Sequence, residues 1–297
     1  MRQHRKQQHY KNFPLTGQSD ADFLTQSMCV ATFARETLDF EPDPAQTGVL
    51  TALSRRIALN CNRQFGKSTL AAIILAHRAV FQAGSLSIIL APGERQAAET
   101  LSKVEEFLDT ARVRLISDRV TRHGVRLAAN ASRIIALPAV DAKIRGFSKA
   151  SLLVVDEASR VEDPLYHALR PSLAISHGDI MLVSTPFGKR GFFYNEFSSP
   201  NRKWHRLTVP ASQCPRITAE FLDEERLIGE EYFAQEYECQ FVEDGRFLFT
   251  DADCKRLFKS DIKPLQLVAN RNTDPLWANV LKPLPRPTLS STSGKEE

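Results

Sequence analysis

Three short stretches carry residue types that could do chemistry together. The first is Arg63-Gln64-Phe65-Gly66-Lys67-Ser68-Thr69, set between an apolar run, Arg56 to Leu59, and a helical apolar segment, Leu70 to Phe81. Strand, tight loop and helix is the setting in which backbone N–H groups converge on phosphate oxygens and the helix dipole adds positive potential. Lys67 would reach the β- and γ-phosphates, and Ser68 would put its hydroxyl on Mg²⁺. The general phosphate-loop pattern wants a glycine where this chain has Cys61. Taken alone, the stretch also fits a basic turn that caps a helix.

The second stretch is Ser151-Leu152-Leu153-Val154-Val155-Asp156-Glu157-Ala158. Its four-residue apolar run suits a strand buried on both faces, and open α/β sheets bind ligands at strand C-terminal ends. Two carboxylates buried there without partners would cost several kcal/mol. Mg²⁺ on Asp156 supplies a partner, and Glu157 can then orient and deprotonate an attacking water. A solvated acidic turn accounts for the same run as well. The third stretch, Ser184-Thr185-Pro186, ends the apolar run Asp179 to Val183, where two hydroxyls can sense a γ-phosphate or serve as ordinary loop residues. Gln46, after Asp43-Pro44-Ala45, carries an amide that can both donate to and accept from adenine. By itself it reads as a surface helix residue.

These residues need a scaffold. A helical apolar pattern covers residues 21–38, and Ser85 to Pro92 reads as a buried strand followed by an amphipathic helix, Glu94 to Leu108. Short strands at 125–127 and 133–137 read as a hairpin. The alternation predicts an α/β fold with a mostly parallel sheet and helices on both faces. After an alternating strand at 204–209, two acidic helices at about 218–228 and 230–238 form a small helical subdomain. The expected organisation is a disordered basic arm over 1–20, a core over 21–200, a lid or linker over 201–250, and a largely disordered tail over 251–297.

Composition bounds the rest. The 297 residues are 42% hydrophobic and 25% charged, with a net charge of +4. That charge is too small to argue for nucleic acid on its own, so any basic contact surface must be local. The best local candidates are Lys189 and Arg190, in the glycine-hinged basic and aromatic stretch Phe187 to Tyr194. Phe192 and Phe193 in that stretch are at least as well explained by packing. Five scattered cysteines without CxxC spacing fit free thiols in a reducing compartment. No apolar core of a signal peptide and no membrane-length run is present.

Taken together, these motifs resemble the ATPase part of phage terminase large subunits, the motors that package viral DNA. Arg63 to Ser68 is similar to that family's deviant phosphate loop, in which an arginine begins the motif and the first glycine is often missing. Asp43-Pro44-Ala45-Gln46 resembles its adenine-contacting motif, Leu152 to Ala158 its Walker B strand with catalytic glutamate, and Ser184-Thr185-Pro186 its coupling motif. Ile144-Arg145-Gly146-Phe147 resembles the segment that carries a trans-acting arginine finger in some members.

The resemblance covers roughly residues 35–250. It implies a P-loop NTPase fold of the RecA-like (ASCE) type with a small helical lid. It implies Mg²⁺-dependent ATP hydrolysis that drives double-stranded DNA into a capsid, in the cytoplasm of a bacterial host. A homo-oligomeric ring, a portal protein and a small terminase subunit are the implied partners; no membrane is involved. In that scheme residues 63–69 hold the triphosphate, Ser68 and Asp156 hold Mg²⁺, Glu157 activates water, and Arg145 or Arg63 offsets charge on the transferring phosphoryl.

The family's C-terminal nuclease is not expected, because little chain follows Phe249. The expectation is a truncated product or half of a split terminase. The enzymatic alternative is a superfamily 2 helicase-like ATPase, on the Asp156-Glu157-Ala158 run; the non-enzymatic one is a truncated terminase relic that does not turn over.

Overall fold

A computed structural model describes residues 19–117, 123–139, 146–200 and 203–243. The chain parts into two units, Met1–Arg246 and Phe247–Glu297, and every described residue belongs to the first. The expected basic arm up to residue 18, Arg145 and the tail over 251–297 lie outside the described residues.

In chain order the unit holds α1 (Asp20–Met28), α2 (Val30–Thr37), α3 (Pro44–Leu50), β1 (Arg56–Cys61), α4 (Lys67–Phe81), β2 (Leu86–Ala91) and α5 (Glu94–Thr110). It continues with β3 (Leu115–Ser117), β4 (Gly124–Leu127), β5 (Arg133–Pro138), β6 (Leu152–Asp156), α6 (Asp163–Leu169), β7 (Asp179–Ser184), α7 (Gly191–Ser198), β8 (His205–Val209), α8 (Ala219–Arg226) and α9 (Glu230–Glu236). The strands form one eight-stranded sheet in the order β3-β4-β5-β2-β6-β7-β1-β8. β3, β4 and β5 pair antiparallel, as a meander at one edge; every other pairing is parallel.

The apolar runs explain the layers. Along β6, Leu152 and Val154 face one core while Leu153 and Val155 face the other, and β7 does the same with Met181 and Val183 against Ile180 and Leu182. Alternate residues of a strand point to opposite faces, so continuous apolar runs mark strands covered on both sides. Helices α2, α4 and α5 cover the first face; α6 and α7 cover the second. Phe192 and Phe193 lie in that second core, so their aromatic character serves packing.

Two elements differ from the sequence expectation. The helix predicted over 21–38 is broken at Cys29, which is extended (φ −136°, ψ 108°) and ends α1 as it begins α2. The break lets the two helices fold back, and the buried Gln26 side chain ties them by bonding Glu36 and Thr37. The second difference is at the boundary expected after residue 200. His205–Val209 pairs in parallel with β1 along its length, so the sheet itself runs past that boundary, and the helices α8 and α9 follow it.

Candidate functional site

β1 ends at Cys61, and the chain turns through a single 3-10 turn, Arg63–Phe65, into α4. Asn62 sets that turn: its Oδ1 accepts the Gln64 N–H at 2.9 Å, while its backbone and side-chain N–H groups both donate to the Val209 carbonyl of β8. Gly66 follows in the left-handed region (φ 85°) and caps α4. A side chain there would be strained by that φ, and its Cβ would crowd Gln46 Nε2 at 3.2 Å. Cys61 departs from the general motif without penalty because it is still strand: it is buried in the core, and burial pushes its thiol well above the ordinary range.

A cavity of about 480 Å³ opens over this turn, lined by Arg63, Gln64, Gly66, Lys67, Ser68, Thr69, Gln96, Glu99, Thr100, Lys103, Asp156 and Glu157. Sequence-distant candidates therefore meet. The Lys67 ammonium lies 3.2 Å from the Glu157 carboxylate. β6 delivers the two acids and α4 the lysine, and the strand order accounts for the fit. β7 lies between β1 and β6, so the Asp156-Glu157 pair stands one strand away from the loop. Ligand crevices of open α/β sheets form at such C-terminal strand edges.

Asp156 is 3% exposed, and both of its oxygens are engaged. Oδ1 accepts the Glu157 N–H at 3.0 Å and Oδ2 accepts the Thr100 hydroxyl at 2.7 Å. Glu157 itself is held in the left-handed region (φ 50°, ψ 45°), an uncommon state for a residue with a Cβ. Strain of that kind costs of order 1–3 kcal/mol and gathers at functional sites. Here it turns the carboxylate from the end of β6 toward Lys67.

Other sequence candidates are brought near without lining the cavity. Ser184 is fully buried, and its Oγ accepts the Ser159 N–H at 3.1 Å and bonds Ser159 Oγ at 2.7 Å. Ser159 Oγ donates in turn to the Thr185 carbonyl at 2.8 Å. The buried Ser184-Thr185-Pro186 stretch thus grips the turn just after Glu157 and reaches the cavity only through it.

Gln46 and Phe65 have different positions from those expected. Gln46 is 3% exposed; its Oε1 accepts the Asp43 N–H within a capping box of α3, and its Nε2 donates to the Phe65 carbonyl at 2.9 Å. The amide braces the loop from behind. Phe65 is fully buried in the core, so it anchors the loop by its ring and offers the cavity nothing.

Arg63 does line the cavity, but its guanidinium is forked onto Glu236 of α9, with Nε to Oε2 at 2.6 Å and Nη2 to Oε1 at 3.2 Å. Lys189 and Arg190 are both exposed. Lys189 pairs with Glu243 at 3.4 Å, and the guanidinium groups of Arg160 and Arg190 both lie over the Phe187 ring, 4.3 and 5.2 Å from its centroid.

Several site residues were not singled out from sequence. Thr100, Gln96, Glu99 and Lys103 all come from α5. Thr100 had a signal: it is a polar residue on the stripe Ala97, Leu101, Val104 and Leu108, which is the buried face of that helix. Glu236 and Arg216 had none. Arg216 bonds the Phe65 carbonyl at 3.1 Å and Asp43 Oδ2 at 3.1 Å, tying the chain after β8 to the back of the loop.

The profile of one protein family, described as "Terminase large subunit, T4likevirus-type, N-terminal", matches residues 60–256. The chain belongs to the terminase large subunit family. Its fold is shared with solved terminases. The Thermus phage P74-26 large terminase ATPase domain aligns with a TM-score of 0.64 at 22% identity, covering 71% of this chain and 97% of that one. The large terminase of another thermophilic bacteriophage, solved in complex with ATP-gamma-S, aligns at 0.55 and 8% identity, over 73% of this chain and 52% of that one. The HK97 bacteriophage large terminase aligns at 0.55 and 16% identity, over 66% and 46%. No curated protein matches the chain. Family and fold together make the described unit the N-terminal domain of a terminase large subunit.

The residues present suit a nucleotide. The cavity volume falls in the range of small-molecule sites. Lys67, Lys103 and Arg63 supply positive charge, and Ser68 and Thr69 supply hydroxyls. Among the described residues no group of three or more His, Cys, Asp or Glu gathers that could hold a metal alone. A magnesium ion would therefore rest on Ser68, Asp156 and phosphate oxygens, a donor set of the all-oxygen kind that it favours.

Proposed function

We propose that this domain binds Mg²⁺–ATP in the 480 Å³ cavity, hydrolyses it, and couples the cycle to movement of double-stranded DNA. The observation that carries this reading is the meeting of Lys67 and Glu157, at 3.2 Å, beside Asp156 and over a glycine-hinged loop. In the thermophilic phage terminase solved with ATP-gamma-S the ligand is an ATP analogue, and that supports a nucleotide at the equivalent place here.

The roles follow from placement. Backbone N–H groups at the start of α4 would receive phosphate oxygens, with Lys67 on the terminal phosphates. Bound Mg²⁺ would supply charge neutralisation on those phosphates, held by Ser68 and Asp156. Thr100 fixes the Asp156 carboxylate. Glu157 is the general base: when the γ-phosphate draws the Lys67 ammonium, the carboxylate is released to take a proton from the attacking water.

Arg63 stands at the cavity wall, forked to Glu236, so it offers charge at the phosphates while tying the lid. Arg145 of a neighbouring subunit in a ring is the second candidate for that charge. Ser184 and Thr185 hold the turn after Glu157, so a change at the γ-phosphate would reach β7 through Ser159. Lys189 and Arg190, beside Arg160 and Phe187, lie on the loop that continues from that strand and are the proposed DNA contacts.

The portal and small terminase subunit are the proposed packaging partners, and the bacterial cytoplasm the proposed site of action. No helix among the described residues is long and apolar enough to cross a membrane. Phosphate release by the purified protein, beside ATP binding, tests the reading. A folded protein that neither binds nor hydrolyses ATP overturns it.

A further inference from the structure

The sheet's opposite end carries a second cavity, of about 500 Å³, with five basic residues in its lining: Arg55, Arg56, Arg170, His177 and Lys203. Among the described residues no carboxylate lines it. Arg55 and Arg56 stand at the start of β1, whose far end feeds the Gly66-Lys67 loop. Six residues at ~3.3 Å each put roughly 20 Å between the two cavities. The second is therefore a different site from the nucleotide's.

Its arginines are only partly matched by the protein's own acids. Asp179 is shared, bonding Arg55 at 2.9 Å and Arg78 on its other oxygen. Glu196 pairs with Arg170 at 3.2 Å. Arg56 has neutral acceptors, the carbonyls of Gly178 at 2.8 Å and Arg55 at 3.2 Å. Burial, and then the charge of Arg170, pull its guanidinium below its ordinary range. A guanidinium half-removed from water and set against another cation is held at a cost, and a concave basic site focuses positive potential. Planar guanidinium forks match phosphate oxygens in geometry as well as charge.

We propose that this pocket binds phosphate, and that a backbone phosphate of double-stranded DNA fills it. The choice of DNA over free phosphate rests on the packaging reading above. It gives the domain a DNA contact on the far side of the sheet from the nucleotide, separate from Lys189 and Arg190.

The test uses the full chain and two variants, Lys203→Glu, which alters an exposed side chain, and the double change Arg170→Gln with Lys203→Gln. Duplex DNA binding is measured across a salt series, and inorganic phosphate binding by titration calorimetry. ATP binding and thermal melting are read alongside to establish that each variant is folded. Expected is a fall in DNA affinity of about tenfold, with the slope of log K against log salt reduced by about 1 to 2, and ATP binding unchanged.

Unchanged DNA binding with loss of a wild-type phosphate isotherm keeps the pocket and makes free phosphate its ligand. Unchanged DNA binding with no phosphate isotherm in the wild type overturns the proposal. Failure of the wild type to hydrolyse ATP would sink the motor reading and leave the phosphate titration to decide this one.

Discussion

Lys67 and Glu157 face each other across the cavity, with 3.2 Å between Nζ and Oε1, and the lysine side chain is only 7% exposed. The proposed general base is thus held by the group proposed to hold phosphate. The two jobs of the lysine exclude each other in part, which makes release of the glutamate conditional on nucleotide. Glu157→Gln removes the ion pair and the proton acceptor together. ATP binding should persist or tighten, while turnover falls by about 10²–10⁴, the usual worth of a positioned base. Equilibrium binding and phosphate release, measured on the same preparation, check this. Turnover at the wild-type rate would remove Glu157 from the base role.

Thr100 is fully buried and gives its hydroxyl to Asp156 Oδ2 at 2.7 Å. Thr100→Val keeps the shape and deletes that donor, which leaves a buried carboxylate oxygen short of a partner at a cost of about 1–3 kcal/mol. A lower melting temperature is expected, along with a higher Mg²⁺ concentration for half-maximal hydrolysis. Thr100→Ser should restore both. If the Mg²⁺ dependence stays fixed while stability falls, Thr100 supports the helix alone and does not position Asp156.

How much of this was open to sequence reading depends on the length of the signal. The run Leu152 to Asp156 gave a doubly buried strand with its acids at the C-terminal end, because burial on both faces demands continuous apolar residues. Lys67 and Ser68 could be placed because a helix start follows directly. Gln46 and Phe65 show what spacing leaves out: it tells which residues lie near a loop, but not on which side of it. Both sit behind the loop, where one braces a carbonyl and the other fills the core. Arg63 and Glu236 find each other across the fold between the loop and α9, with no local pattern to announce the pair. The break at Cys29 was invisible because both halves carry helical periodicity, and the partner that folds them together is the Gln26 side chain.

The fork between Arg63 and Glu236 makes a prediction about the lid. Glu236 is 4% exposed, so removing its partner strands a buried carboxylate, although Arg63 is 59% exposed on its side chain and water softens the loss. Arg63→Ala should cost roughly 1–2 kcal/mol and raise proteolysis over α8 and α9. Arg63→Lys, which keeps charge without the fork, should fall between. Limited proteolysis with mapped cleavage sites is the measurement, and protection equal to wild type in Arg63→Ala would mean that α9 is held elsewhere.

Lys189 and Arg190 are the proposed DNA contacts. Changed together to Ala, they should weaken duplex binding and reduce its salt slope by about 1 to 2, while basal ATP binding stays as it was. The Lys189–Glu243 pair at 3.4 Å must open before that ammonium can meet a phosphate, so Glu243→Gln should strengthen duplex binding through Lys189. Salt-series binding on the single and double variants separates the two basic residues. An unchanged slope in the double variant would clear both of phosphate contact.

His77 sets a pH dependence away from the site. Its ring is wedged between Phe33 and Phe81, and Nε2 donates to the Gln26 carbonyl at 2.9 Å. Burial holds its pKa down to about 4, against an ordinary value of 6.5, and Arg78 adds to the depression. Between those values the unfolded chain binds more protons than the folded one, so stability rises with pH there. It is complete above about pH 6.5 and is lost as pH falls toward 4, by a few kcal/mol at most, on the order of 3. Melting temperatures across that window should drop more steeply in the wild type than in His77→Gln, whose amide can keep the bond to Gln26 and does not titrate. Parallel curves for the two proteins would assign the acid sensitivity to other groups.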